Sequence, residues 1–270
     1  MLENARAGGL IPGDRRLSRW WSAAGLVAAC VLLCSCGLRE PAIQPITSEP
    51  LQRTEIPPIT GRTAIMDIID LDQTAQRLYV TDGVLLGLDV IDTSRNPAQY
   101  LKTIPVGSNP NGVVVAADIH KAFIGTDDST LVVIDVDPHS RHRDQRIATV
   151  PIAGKGASDL VDYDPKDHRV FLTNPDDGWV TAFDSRSYRK VATITGVGLV
   201  DQPRYNPADG MLYVSGAERN SVIKIDPRMN KVVAEAPIPV TCEPHGLAID
   251  PTTNLGLIGC SDKDEQRTLS

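Results

Sequence analysis

Aromatic residues are scarce in this chain, at 4% of 270 residues, while Gly (21) and Pro (20) are frequent. That mix disfavours long helices and suits short strands joined by many turns. Basic residues do not balance the acidic ones, 27 against 34, so the net charge is −7. Generic nucleic-acid binding, which needs a basic footprint, is thereby excluded. Only two cysteines, Cys242 and Cys260, lie beyond residue 36, so a disulfide framework is excluded too. A chain of this length can bury a core without one. Familiar catalytic signatures are also missing: no G-x-S-x-G elbow, no C-x-x-C-H haem site and no Walker loop, since AGKGAS at 153–158 lacks the spacing.

The first 36 residues differ in kind. Arg15, Arg16 and Arg19 precede the apolar run from Trp20 to Cys36, which is short for a membrane span and reads as an export signal. Leu17-Ser18 after the arginine pair gives a twin-arginine route little support. The run ends in Leu33-Cys34-Ser35-Cys36, which resembles a bacterial lipoprotein box and implies a lipid on Cys36. Val27-Ala28-Ala29-Cys30 is a second acceptable box, but apolar residues would then follow the lipid. A plain cleaved signal or a buried helix is the alternative. Removing residues 1–36 takes away four basic and two acidic residues and leaves 23 against 32, a net charge of −9. The anchor to the membrane would be the lipid, not a polybasic patch. The expected organisation is a lipoprotein signal at 1–36, a Pro-rich tether at 37–50 and one domain at 51–270, in the bacterial cell envelope.

That domain is repetitive. LYVTD at Leu78 recurs as AFIGTDD at Ala122, VFLTNPDD at Val170, LYVSGAERN at Leu212 and GLIGCSD at Gly256. The anchors Tyr79, Phe123, Phe171, Tyr213 and Leu257 are spaced by 44, 48, 42 and 44 residues. A second series ending at Asp92, Asp135, Asp184 and Asp226 keeps the same beat. Each unit holds four strand-like runs separated by turn formers, as in GVVVA, KAFIG, TLVVID and RIATVPI of unit two. Four strands per unit of this length predict an all-β chain, a β-propeller of four-stranded blades. Four blades are complete and a fifth is partial. LQRTEIPPITG at 51–61 matches the outer strand of unit two, which leaves two arrangements open. One is a five-bladed ring closed by that N-terminal strand. The other, favoured by the missing I-D ending of the fifth unit, is a shortened form of a six- or seven-bladed parent.

The phrases G-x-x-P-x-G-[LV]-A-[IV]-D-P, [LF]-Y-V-[TS] and V-x-[VK]-I-D resemble the YVTN-repeat (YncE-like) β-propellers over roughly residues 51–265. The resemblance implies the fold. It does not choose among the extracytoplasmic binding proteins, lactonases and dehydrogenase subunits found on related propellers.

Twelve residues before each anchor stand Asp67, Asn111, Asp159, Asp201 and His245, all polar, at the expected mouth of the central channel. The loops after Asp82, Asp127, Asp176, Glu218 and Asp262 should surround them. This series points to a pocket for a small polar ligand, a protein partner or a divalent cation, against the plainer reading of a water-filled channel. The alternative function is a metal-dependent lactonase or esterase-like hydrolase, with Asp159 or Asp201 as general base. The E-G-P motif of related lactonases is absent, because Ile65-Met66-Asp67-Ile68 stands in its place. HSRHRDQR at 139–146 could bind anions but reads as a solvated insertion, Lys155 as a surface residue and Trp179 as inter-blade packing. Cys242 and Cys260 are either disulfide-bonded, with Cys260 opposite His245 in the hairpin, or two separate buried thiols.

Overall fold

The computed structural model describes residues 53–56 and 66–261, all within the unit spanning Pro50–Ser270. Apart from a single 3-10 turn at Pro175–Asp177, every regular element in these residues is a strand. Blade one comprises β1 (Met66–Asp72), β2 (Arg77–Asp82), β3 (Gly87–Asp92) and β4 (Gln99–Pro105). Blade two comprises β5 (Pro110–Ala116), β6 (Lys121–Thr126), β7 (Thr130–Asp135) and β8 (Gln145–Pro151). Blade three follows with β9 (Val161–Asp164), β10 (Arg169–Asn174), β11 (Trp179–Asp184) and β12 (Lys190–Thr195). Blade four has β13 (Pro203–Asn206), β14 (Met211–Gly216), β15 (Ser221–Asp226) and β16 (Lys231–Pro237), and blade five has β17 (Pro244–Asp250) and β18 (Leu255–Cys260). Each is an antiparallel meander, four sheets of four strands and one of two, and no sheet closes on itself. The inner strands β1, β5, β9, β13 and β17 neighbour one another in that order.

Turn chemistry explains why the strands stop where they do. The aspartates of the second sequence series close the turns after the third strands by accepting backbone N–H bonds. Asp92 takes Ser94 N (2.9 Å), Asp135 takes Asp137 N (3.0 Å), Asp184 takes Ser187 N (2.7 Å) and Asp226 takes Arg228 N (2.8 Å). The turn from first to second strand needs a left-handed residue three before each anchor, and Gln76, His120, His168, Gly210 and Asn254 all have positive φ there.

The core lies between blades. Tyr79, Leu88 and Val90 of blade one meet Ile124, Val132 and Ile134 of blade two. Phe123 and Val133 meet Val161, Leu172 and Phe183, and Phe171 meets Leu212, Val214 and Ile223. The first three anchors are 0% exposed, whereas Leu257 of blade five is 77% exposed. Among the described residues an anchor is thus fully buried only where a four-stranded blade follows it, and Tyr213, followed by the two strands of blade five, is half-buried.

Charged side chains stitch the blades together. Asp144 of the 139–146 insertion, its side chain buried, accepts Arg77 Nη1 of blade one (3.2 Å) and lies 2.9 Å from Lys102 Nζ. Arg146 Nη1 donates to Val106 O (2.7 Å). The basic insertion is therefore a brace against blade one, and its charges are partly spent within the fold. Trp179 is half-buried, and the Lys155 side chain is on the surface, as expected.

Residues 53–56, inside the stretch expected to supply an outer strand, form no strand. Thr54 Oγ1 donates instead to Ala98 O of blade one (2.8 Å). The rest of that stretch, the tether and the signal with Cys30 and Cys36 lie outside the described residues. Among the described residues no helix is long and apolar enough to cross a membrane.

Candidate functional site

Strand two sets the position of each mouth residue. In blade one the hydroxyl of Thr81, two residues past the anchor, accepts Ile68 N (3.0 Å) and Asp67 N (3.3 Å) and lies 3.5 Å from Asn111 O of the next blade. Ser215, at the same place in blade four, accepts Gln202 N (2.9 Å) and donates to His245 O of blade five (2.6 Å). Thr173 accepts Leu160 N (3.1 Å) in blade three. Blade two has Gly125 here, and a Cβ at that point would collide with the carbonyl oxygen of Asp159. Asp67, Asn111 and His245 lie within their inner strands. Asp159 and Asp201 precede β9 and β13, yet their N–H groups still bond to Thr173 O (2.9 Å) and Ser215 O (3.0 Å) of strand two.

Three of the five residues form an electrostatic group. Burial pushes the Asp159 carboxyl up to about 7, and the charges of Asp201, Asp67, Asp127 and Asp176 add to the effect. Asp67 is also raised, by burial and then by Asp201. The fourth residue, His245, places Nδ1 within hydrogen-bond reach of Asp201 Oδ2. That leaves Nε2 as the ring nitrogen without a hydrogen bond among the described residues. The fifth, Asn111, is turned to structure: Nδ2 donates to Asp127 Oδ1 (2.8 Å) and Ser158 O (3.1 Å). Asn109 Nδ2 holds the other Asp127 oxygen (2.7 Å).

A cleft of about 910 Å³ opens on the side of blades three to five. Asp176, Asp177, Glu218, Glu243, His245 and Ser261 line it. Of the sequence-derived series only His245 reaches this cleft. The loops after Asp176 and Glu218 form its walls, while Asp262 lies outside the described residues. Asp177 is braced by Lys155 N (3.0 Å) and Glu218 by Leu199 N (3.1 Å).

Sequence reasoning missed a second tier nine residues before the anchors. Asp70 accepts Val115 N (2.6 Å), and Asp162 accepts Tyr205 N, each carboxylate capping an amide on the neighbouring blade's inner strand. Arg204 Nη1 lies 3.9 Å from Asp162 Oδ1. Burial raises Asp162 to about 6, against the opposing pull of Arg204 and the amides of Tyr205 and Tyr163. Charge in the middle of otherwise apolar inner strands was the available signal.

Cys242 and Cys260 are disulfide-bonded. The hairpin register differs by one step from the simple pairing: Asp250 faces Leu255 as expected, but a bulge between Pro244 and Leu247 sets Cys260 opposite Pro244 rather than His245. The extra residue brings Cys242 within reach. Among the described residues no three or more His, Cys, Asp or Glu side chains are grouped to hold a metal ion. No family model matches the chain, and no curated protein matches it.

Proposed function

We propose that this protein is a lipid-anchored extracytoplasmic β-propeller of the YVTN-repeat (YncE-like) kind that binds a small cationic ligand, or a basic segment of a partner, at its mouth. One observation carries the reading: the Asp159 carboxyl, raised to about 7 first by burial and then by the charges of Asp201, Asp67, Asp127 and Asp176, belongs to an acidic cluster whose ionisation a bound cation would favour. The acidic cleft beside it offers volume enough for a small organic molecule.

Replacing Asp159 and Asp201 together by Ala tests this. Calorimetric titration with calcium and with spermidine should show at least a roughly tenfold loss of affinity for whichever binds, about 1.4 kcal/mol. Unchanged binding by the folded double variant moves the site elsewhere. The anchor is tested separately. Cys36→Ala should abolish lipid labelling and release the protein, and labelling lost only in Cys30→Ala would assign the other cysteine.

The hydrolase reading has one observation in its favour, the orientation of His245 by Asp201, which leaves Nε2 available as a general base. No grouped metal donors support the metal-dependent form of it among the described residues. Turnover of lactones or aryl esters that His245→Gln removes, in a variant that still folds, would establish it.

A further inference from the structure

The blade-five wall of the cleft is held differently from the walls it faces. The loops of blades three and four rise from four-stranded sheets, whereas β17 and β18 form a sheet of two. Several ties fasten this wall, among them hydrogen bonds from Ser261 N to Glu243 O (3.2 Å) and from Ser261 Oγ to Glu243 Oε2 (3.4 Å). Asn220, in the turn between β14 and β15, donates to Ile238 O (3.0 Å) and Val240 O (2.8 Å) and accepts Cys242 N (2.8 Å) and Glu243 N (3.2 Å). Ser215 and Asp201 hold the backbone and ring of His245. The covalent tie among these is the disulfide, which joins the loop entering β17 to the last residue of β18.

The position of that bond relates it to the cleft. Glu243 follows Cys242 directly, Ser261 follows Cys260, and His245 lies just beyond Pro244, so all three cleft residues of this wall flank the bridge. The Pro244–Cys260 pair is separated from the regular ladder, which resumes at Leu247–Ile258, by the bulge. Without the bridge, no covalent link would join the mouth ends of β17 and β18; that isolated pair, the bonds from Ser261 N to Glu243 O (3.2 Å) and Ser261 Oγ to Glu243 Oε2 (3.4 Å), and hydrogen bonds reaching across to blade four would remain. Access is asymmetric: Cys242 is 1% exposed, while Cys260 is exposed on β18.

We propose that the Cys242–Cys260 disulfide is a redox switch for the cleft, holding Glu243, His245 and Ser261 in place when oxidised and releasing them when reduced by a dithiol. As regulation of a ligand site, it rests on the reading of the mouth as that site. In the reduction, a thiolate of the dithiol attacks Cys260 Sγ. The Cys242–Cys260 bond breaks, its electron pair leaves on Cys242 Sγ, and that sulfur takes a proton. The second thiolate of the reductant then attacks its own sulfur in the mixed disulfide and expels Cys260, which is protonated in turn. Two electrons and two protons pass to the protein, and the reductant ends as a cyclic disulfide.

Hydrogen exchange of the full chain, before and after dithiothreitol, tests the switch, with thiol titration confirming reduction. Amides of residues 243–249 and 255–261 should exchange at least about tenfold faster on reduction, while β5 to β16 keep their rates. The His245 ring resonance should move to the position it has in Asp201→Asn. A Cys242→Ser/Cys260→Ser variant should reproduce both changes in the absence of reductant. Unchanged exchange after full reduction overturns the proposal, as does a disulfide that resists dithiothreitol in the folded protein. Faster exchange in every blade would make the bond a general stabiliser and overturn it too. Should exchange and resonance respond while neither calcium nor spermidine binds either form, the switch stands and the cation-site reading falls.

Discussion

Ser215 Oγ donates to the carbonyl oxygen of His245 at 2.6 Å, so the mouth residue of blade five hangs on a side chain of blade four. The equivalent residue of blade one, Thr81, stands 3.5 Å from Asn111 O, and Gly125 of blade two clears space for Asp159 O. The end of strand two is where each of these blades sets the height of its neighbour's polar residue. A change there should therefore act on the next blade's site as well as on stability.

Gly125→Ala tests that coupling. The added methyl group meets the Asp159 backbone and the Leu172 side chain, so the strand must shift. Destabilisation of about 2 kcal/mol is expected from such overpacking. Urea unfolding measures the cost, and cation titration of the folded fraction should show weaker binding as Asp159 moves. Full destabilisation with unaltered binding would separate the two roles.

Asp159 should also give stability a particular pH dependence. Its folded value, about 7, lies above the ordinary 3.8, so between these limits the folded state holds a proton that the unfolded state has released. Stability contributed by this group is complete below about 4 and is lost as pH rises towards about 7. Asp159→Asn should remove that loss, stabilising the protein at pH 8 by about 2 kcal/mol and little at pH 4. The figure is roughly half the full linkage value, since the side chain is partly open to water. Urea midpoints of both proteins at the two pH values provide the check.

The repeat was legible because its signals are local. Turn aspartates such as Asp135 and Asp226 and buried anchors such as Phe123 and Phe171 recur in phase, and each does the same physical work in every blade. The mouth series was legible for the same reason, as a polar residue at a fixed distance from each anchor. What those residues do with their side chains was not, because it depends on neighbours distant in the chain. Asn111 turns to Asp127 and Ser158, while His245 turns to Asp201. Asp70 and Asp162 escaped notice because the amides they cap, Val115 N and Tyr205 N, belong to the following repeat. The bulge at Pro244–Leu247 had no counterpart in the simple alternation of the strand, so Cys260 was expected opposite His245 instead of Pro244.

The insertion at 139–146 makes its own prediction through Asp144. This carboxylate has 4% side-chain exposure and lies against Arg77, itself 14% exposed, with Lys102 alongside. Asp144→Ala should leave the Arg77 guanidinium buried without its partner, at a cost of about 3 kcal/mol. Because the pair joins blades one and two, hydrogen exchange should rise first in β2, β4 and β8. Loss confined to the insertion itself would show that the brace matters little to blade one.

Phe171→Ala and Leu257→Ala form the last test, because the two residues hold one repeat position in different surroundings. Phe171 is 0% exposed among Leu212, Val214 and Ile223 of blade four, and Leu257 is 77% exposed on a face of blade five that no further blade covers among the described residues. If burial by the following blade is what makes an anchor stabilising, Phe171→Ala should cost about 4 kcal/mol through lost transfer energy and the cavity left behind. Leu257→Ala should cost less than about 0.5 kcal/mol, as expected for a surface substitution. Urea unfolding followed by circular dichroism gives both values under the same conditions. Equal costs at the two positions would mean that Leu257 is covered in solution, and would contradict the exposed blade-five face.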